Sequence, residues 1–247
     1  MRKSIVWLML LASVVIAAFP ANSQSLNKGR YKKALIIGAH PDDPETIAGG
    51  TMLVLQQQGC EVVSVYLTGG EAGIEGKSHE EAAKIRKQES ENACKILGVR
   101  SIFMGQIDGS AEVTKERFNQ MKELILKEKP DVVFTHWPID SHRDHRVTSL
   151  LVYDAWRQSG YSFDLYYGEV MSGTQTQNFV PTDYVNIDSV VNKKHEACLC
   201  HTSQCMPDLL NGWHIIMEKF RGIEFHCKAA EAFQKQLWTK SDITDRE

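Results

Sequence analysis

The chain has 247 residues, enough for one sizeable α/β domain or at most two small ones. Apolar residues make up 43% and charged residues 24%, a globular balance that excludes a disordered chain. A net charge of −3 with no basic stripe argues against nucleic acid as a partner.

Residues 1–23 read as a signal peptide. Arg2 and Lys3 give the positive start, Ile5 to Phe19 is an uncharged apolar core, and Ala21-Asn22-Ser23 is a small-x-small cleavage site ahead of Gln24. A membrane anchor is the alternative, but the apolar run is shorter than the roughly 20 residues that a spanning helix needs. No cysteine lies near the cut, so lipid attachment there is not expected. The expectation is an exported protein, periplasmic or extracellular, with no stable membrane span after cleavage. Residues 24–238 then form a single domain, and 239–247 a polar tail.

From Lys33 onward, strand and helix patterns alternate. Residues 34–40 are an apolar first strand, followed by Ala39-His40-Pro41-Asp42-Asp43-Pro44-Glu45 and a helix over about 46–58. Pro44 biases Asp43 away from helical geometry, so the turn is expected to stay open. Gly49-Gly50 would let this helix approach the sheet closely. A β-branched second strand spans 61–68, and a glycine-rich loop follows at 69–76. Ser78-His79-Glu80-Glu81 has the form of a capping box and starts a helix that runs to Leu97, with Gly98 as its stop. Residues 101–105 are a third strand. A helix over 114–127 carries Phe118, Met121, Leu124 and Ile125 on one face, and 131–137 is a fourth strand. A helix near 145–158, strands near 163–169 and 184–189, and helices from about 191 to 236 complete the pattern. It predicts an α/β, Rossmann-like fold with a mostly parallel sheet and helices on both faces.

Two loops concentrate the chemistry. His40, Asp42 and Asp43 follow the first strand, and Asp140-Ser141-His142-Arg143-Asp144-His145 follows the fourth. If those strands are neighbours, both loops open into one crevice at the strand carboxyl ends. Charge buried together there needs pairing or a cation.

These two motifs resemble those of the zinc-dependent PIG-L/LmbE-like N-acetylglucosaminyl de-N-acetylases. The likeness extends to Pro130–His136, to Arg86-Lys87-Gln88-Glu89 with Leu97-Gly98, and to Lys194, Ala197, His201, Ser203 and Gln204. Phe220-Arg221-Gly222 with Ala229–Phe233 looks like the tail of the bacillithiol-pathway deacetylases. The resemblance implies that His40, Asp43 and His145 bind Zn2+, although other divalent ions can occupy such nitrogen and oxygen donors. Asp42 would be the general base toward a zinc-bound water. His142, in cationic form, would steady the oxyanion, and Asp144 would hold the His142 ring. Asp144 could instead cap the following helix. The implied partner is a small N-acetylated amino sugar or glycoconjugate, and a homo-oligomer stays open.

One departure concerns the loop after the second strand. Many relatives carry T-R-G-E there, whereas this chain has Thr68-Gly69-Gly70-Glu71. Either the pocket is wider or an arginine comes from elsewhere, with Arg143 and Arg146 as candidates. His136 reads as a partner of a ligand or as a core histidine bonded to backbone. His201 and Gln204 either line a sugar pocket or fasten the C-terminal helices. His79, His195, His214 and His226 read as surface or packing residues. Trp137, Trp156 and Trp213 read as core, although Trp137 follows a strand end and could flank the crevice. Cys60 and Cys94 read as core. Cys198, Cys200, Cys205 and Cys227 lack the paired spacing of a structural zinc site, and a disulfide among them stays open.

Three further readings compete. An amidase acting on thiol conjugates belongs to the same family. A non-catalytic metal-dependent sugar binder would use the same ligands. A nucleotide-binding module is disfavoured, because Gly38–Asp42 lacks G-x-G-x-x-G and its carboxylates would repel a pyrophosphate.

Overall fold

The computed structural model describes residues 24–25 and 29–237, so the expected signal peptide and polar tail lie outside the described residues. Its strands are β1 (Gln24–Ser25), β2 (Lys33–Gly38), β3 (Glu61–Thr68), β4 (Arg100–Gln106), β5 (Val132–His136), β6 (Asp164–Gly168), β7 (Asp183–Asn186) and β8 (Ala230–Lys235). They form one sheet in the order β1-β7-β8-β6-β5-β2-β3-β4. All pairings are parallel except those of β8, which runs antiparallel to both β6 and β7. The helices are α1 (Asp43–Gln57), α2 (His79–Leu97), α3 (Lys115–Glu128), α4 (Arg143–Gln158), α5 (Val191–Cys198), α6 (Met206–Leu209) and α7 (Ile215–Glu224).

Side-chain alternation along β2 builds a core on each face. Ala34 and Ile36 pack with Ile47, Met52 and Leu55 of α1 and with Ala93 and Leu97 of α2. Leu35 and Ile37 pack on the other face, with Met121 and Ile125 of α3 and Leu151, Val152 and Ala155 of α4. A strand buried on both faces needs the continuous apolar run read in the sequence. The expected α/β sheet is therefore present. The Ser78–Glu81 capping box and the left-handed Gly98 stop of α2 are present too.

Three expectations are corrected. First, α1 starts at Asp43 rather than near 46, and Pro44 fits in its first turn, where no backbone donor is needed. The distortion falls one residue earlier, on Asp42, whose φ of 128° is rare outside glycine. Second, α1 is kinked at Ala48 (φ −148°, ψ 23°). The kink frees the amides of Gly50 and Thr51, and the Glu231 carboxylate accepts from both at 2.8 and 2.7 Å. Gly50 has no room for a side chain, since a Cβ would stand 2.5 Å from Ile187 Cγ2. The close approach is thus to the segment after β7 and to the Glu231 side chain of β8. Third, residues 191–236 are not all helical, because 230–235 is β8.

Among the described residues no helix is long and apolar enough to cross a membrane. All six cysteines are free thiols, with Cys60 and Cys94 buried as expected. Trp156 is buried, but Trp213 is 56% exposed, contrary to its reading as core.

Candidate active site

The strand order reverses at β2. β3 and β4 follow on one side of it, and β5 lies on the other, with Ile37 in register with Thr135. Open α/β sheets bind ligands at such a switch point. The loops after β2 and β5 therefore meet, as the sequence required. The loops after β3 and β4 add Ala72, Gly73, Asp108 and Gly109. Together they line a cleft of about 490 Å3, within the range of small-molecule sites.

The imidazoles of His40 and His145 stand 5.3 Å apart between ring centres. Asp43 joins them, with Oδ2 at 3.1 Å from His40 Nδ1 and Oδ1 at 3.5 Å from His145 Nε2. Asp43 Oδ2 also accepts from the His40 amide at 2.7 Å, which locks the turn. Burial would raise the Asp43 carboxyl's pKa, but the His145 and His136 imidazoles hold it well below the usual carboxylate range. Among the described residues, three overlapping groups could hold a cation: His40, His142 and His145; Asp43, His136 and His145; His40, Asp108 and Asp144. None of them includes a cysteine.

The donor chemistry fits a divalent metal. The expected trio His40, Asp43 and His145 is spread over these groups rather than closing as one of them, and Asp43 with His136 and His145 gives the two imidazoles and one carboxylate of a catalytic zinc site. The His40 ring alone is within 3.3 Å of three carboxylates: Asp43, Asp108 and Asp144. Such an excess of buried negative charge calls for positive charge among them. Accordingly the three carboxylates push the pKa of His40 well above its ordinary value, although burial works against this.

Each site residue is braced by a neighbour. Asp140 Oδ2 lies 3.1 Å from His145 Nδ1, and Asp140 Oδ1 accepts from the His142 amide at 2.7 Å. Such a carboxylate–histidine pairing is what orients an imidazole that holds a metal. Asp108 Oδ1 lies 3.1 Å from His40 Nε2, and its Oδ2 accepts from the Ala72 amide at 3.1 Å. Neither role was assigned from sequence. Asp140 stood within the quoted motif, and Asp108 could have been found as a further acid in a loop after a strand, ahead of the turn-forming Gly109.

Asp42 lines the same cleft but turns away from the imidazoles. Its Oδ2 accepts from Arg86 Nη2 at 3.0 Å, and the same nitrogen donates to the Pro41 carbonyl at 2.6 Å. Burial raises the Asp42 carboxyl's pKa, and Asp43 beside it adds to the rise, which Arg86 opposes without cancelling.

An arginine does line the cleft, although neither candidate offered for the one missing at Gly69 supplies it. Arg143 and Arg146 do not line the cleft; they bond the carbonyls of Ala111 and of Asp140 and Ser141. The arginine in the cleft comes from α2. Its guanidinium fills space that side chains at Gly70 and Gly73 would take, since a Cβ there would stand 2.5 and 2.4 Å from Arg86 Nη1.

Asp144 departs from both of its readings. Its carboxylate does not hold the His142 ring; Oδ2 faces His40 Nε2 at 3.3 Å and accepts from the Gly109 amide at 2.7 Å. Nor is it the helix cap, because His142 caps α4 through Nδ1, which accepts from the Asp144 amide at 3.2 Å. With Nδ1 accepting, the ring proton sits on Nε2. Burial, with His40 and His145 nearby, lowers the pKa of His142. This shift runs against the cationic form that the resemblance implies.

His136 is fully buried and accepts from the Ala39 amide through Nε2 at 2.8 Å, as a core histidine would. It also stacks on His145 at 4.0 Å between ring centres, so it backs one of the converging imidazoles as well. Burial lowers its pKa to about 4. His201 is buried, with Nε2 3.7 Å from Glu45 Oε2, and does not line the cleft, whereas Gln204 lines the cleft and donates to the Gly73 carbonyl. Trp137 is bonded to the Gln177 carbonyl and lies outside the cleft lining.

The family described as PIG-L: GlcNAc-PI de-N-acetylase matches residues 35–156. The chain is 32% identical over 197 residues to a diacetylchitobiose deacetylase of Thermococcus kodakarensis, covering 74% of this chain and 73% of that protein. A solved N,N'-diacetylchitobiose deacetylase of Pyrococcus horikoshii superposes with a TM-score of 0.74 at 26% identity, covering 87% and 88% of the two chains. A 4-oxalmesaconate hydratase of Pseudomonas putida is 26% identical over 195 residues, covering 70% of this chain and 74% of that protein.

Proposed function

The chain belongs to the PIG-L/LmbE-like deacetylase family, and from that premise we propose that it is an exported zinc-dependent amide hydrolase that removes acetyl from an N-acetylglucosamine-type sugar. The observation that carries the reading is the separation of two adjacent carboxylates. Asp43 faces the imidazoles, while Asp42 opens on the same cleft under the control of Arg86. One acid is thus set to bind a cation and its neighbour to move a proton. Export rests on the N-terminal pattern of residues 1–23.

His40, Asp43 and His145 would hold the zinc. Bound there, it supplies a Lewis acid that polarises the acetamide carbonyl and acidifies a water. Asp42 takes a proton from the attacking water, a task suited to a carboxyl whose pKa lies above its ordinary range. Arg86 keeps that carboxylate pointed and out of the ligand set. His142 donates from Nε2 to the carbonyl oxygen as negative charge develops there. Asp42 then returns its proton to the amine nitrogen as the C–N bond breaks, which releases acetate and a free amine. Asp108, Asp140 and Asp144 hold the two ligand imidazoles in place.

An acetate-release screen tests the reading. It should span N-acetylglucosamine, its glycosides, N-acetylglucosaminyl malate and chitin fragments, with thiol conjugates as the amidase arm. Acetate from one of the sugars is the expected result. Turnover of thiol conjugates alone would replace deacetylation by the amidase reading. A 4-oxalmesaconate hydratase activity, as the name of the Pseudomonas putida relative describes, would release no acetate from any arm.

The ligand assignment has its own test. His145→Ala is expected to lose the metal, because Asp43 and His40 cannot complete the set alone. Elemental analysis should find zinc in the parent protein and little in the variant. Full occupancy in the variant would remove His145 from the ligands.

A further inference from the structure

Helix α7 is built inside out. Its buried residues are Glu218, Arg221 and Gly222, whereas Ile216, Phe220 and Ile223 are 61%, 52% and 72% exposed. The inward charges are all engaged. Glu218 meets Lys194, His195 and His214, and Arg221 meets Glu169 and Glu224. A π-helical turn over Leu210–His214 precedes α7. It leaves His214 buried and donating to the Met171 carbonyl, while Trp213 projects outward, 56% exposed. Trp213, Ile216, Phe220 and Ile223 thus form an outward stripe with spacings of three, four and three. Part of it walls a groove of about 440 Å3 whose far side is the loop Ser172–Thr174.

We propose that this stripe is a dimer interface, filled by α7 of a second copy of this chain packed across a two-fold axis. The three-four-three spacing is what one helix offers to another. One stripe on each copy is self-complementary under two-fold symmetry. Its exposed area is on the order of 500 Å2 per copy, taking full side-chain areas near 200 Å2 each. Two copies then reach about 1,000 Å2, the lower bound for a specific interface.

Other occupants fit less well. A helix that lies on a membrane is rich in lysine and arginine on its polar face, whereas α7 exposes one such residue, Lys219, and its Arg221 is turned inward and paired with Glu169 and Glu224. A sugar needs polar partners, and those of the groove are spent. Ser172 and Thr174 bond each other at 2.8 Å, and Glu169 pairs with Arg221.

Sedimentation equilibrium of the purified protein tests this. The parent is expected to be a dimer or a larger assembly built from that pair. Phe220→Glu and Ile216→Glu should each halve the mass while leaving the far-ultraviolet circular dichroism unchanged. Leu150→Glu places the same charge on another exposed apolar residue, off the stripe on α4, and should leave the mass unchanged. A parent protein that stays monomeric overturns the proposal. So does a parent whose mass ignores both stripe variants. Flotation with phosphatidylglycerol vesicles, lost in Phe220→Glu while the parent is monomeric, would assign the stripe to a membrane instead.

Discussion

Asp42→Asn is expected to lower kcat by roughly 10²–10⁴-fold, the contribution typical of a positioned general base. Bound metal and KM should stay close to the parent values. The amide cannot take a proton from water, yet its oxygen can still accept from Arg86 as the Asp42 carboxylate does. Asn is also the right replacement for the backbone. Residue 42 has a φ of 128°, and Asn tolerates positive φ better than most side chains. Ala would add strain and lose the arginine contact, so a loss of activity would be ambiguous. Turnover near the parent rate in Asp42→Asn would take the proton-moving role away from Asp42. Lost metal would show instead that Asp42 belongs to the ligand set.

The variant isolates Asp42 because the two loops were written locally, one motif each. His40 to Asp43 follow a strand recognisable from its apolar run, and Asp140 to His145 follow another. The inference that they meet needed only those strands to be neighbours, and β2 pairs with β5. What sequence did not carry is direction within the cluster. Asp144 was aimed at His142, two residues away along the chain, but α4 begins between them and turns the carboxylate to His40. Arg86 lies 44 residues from Asp42, and nothing local marks it as the brace for that acid. Strand β8 was hidden for a different reason. Ala230-Glu231-Ala232-Phe233-Gln234-Lys235 has the composition of a helix. It becomes a strand because β6 and β7 offer it two edges, and because Glu231 caps the broken half of α1.

Lys194→Met is expected to be the most destabilising single change in the fold, costing roughly 3–5 kcal/mol, as for a buried charge left without its partner. For a protein of this size that corresponds to a fall in Tm of roughly 6–20 °C. Lys194 is fully buried and meets Glu218 at 2.8 Å and Glu231 at 2.7 Å, and it donates to the Thr46 carbonyl at 3.2 Å. It thereby ties α5, α7 and β8 to the kink in α1, just behind Asp42 and Asp43. Methionine keeps the length of the side chain but takes the lysine from two buried carboxylates, leaving Glu218 with His195 and His214 and Glu231 with the Gly50 and Thr51 amides.

The pH dependence distinguishes this cause from lost packing. Burial would raise the Glu218 carboxyl's pKa, but Lys194 first, then His195 and His214, hold it far below the usual carboxylate range. A depressed carboxyl contributes stability above its unfolded pKa and loses it as pH falls through the acid range. The parent protein should therefore weaken on acidification. In Lys194→Met the same burial, no longer opposed by the lysine, favours the protonated acid. Protonation then relieves the variant, so its deficit should be greatest at pH 8 and shrink toward pH 5. Thermal melts of both proteins across that range decide the point: a deficit independent of pH would assign the loss to packing, and one that grows on acidification would contradict the ion-pair account.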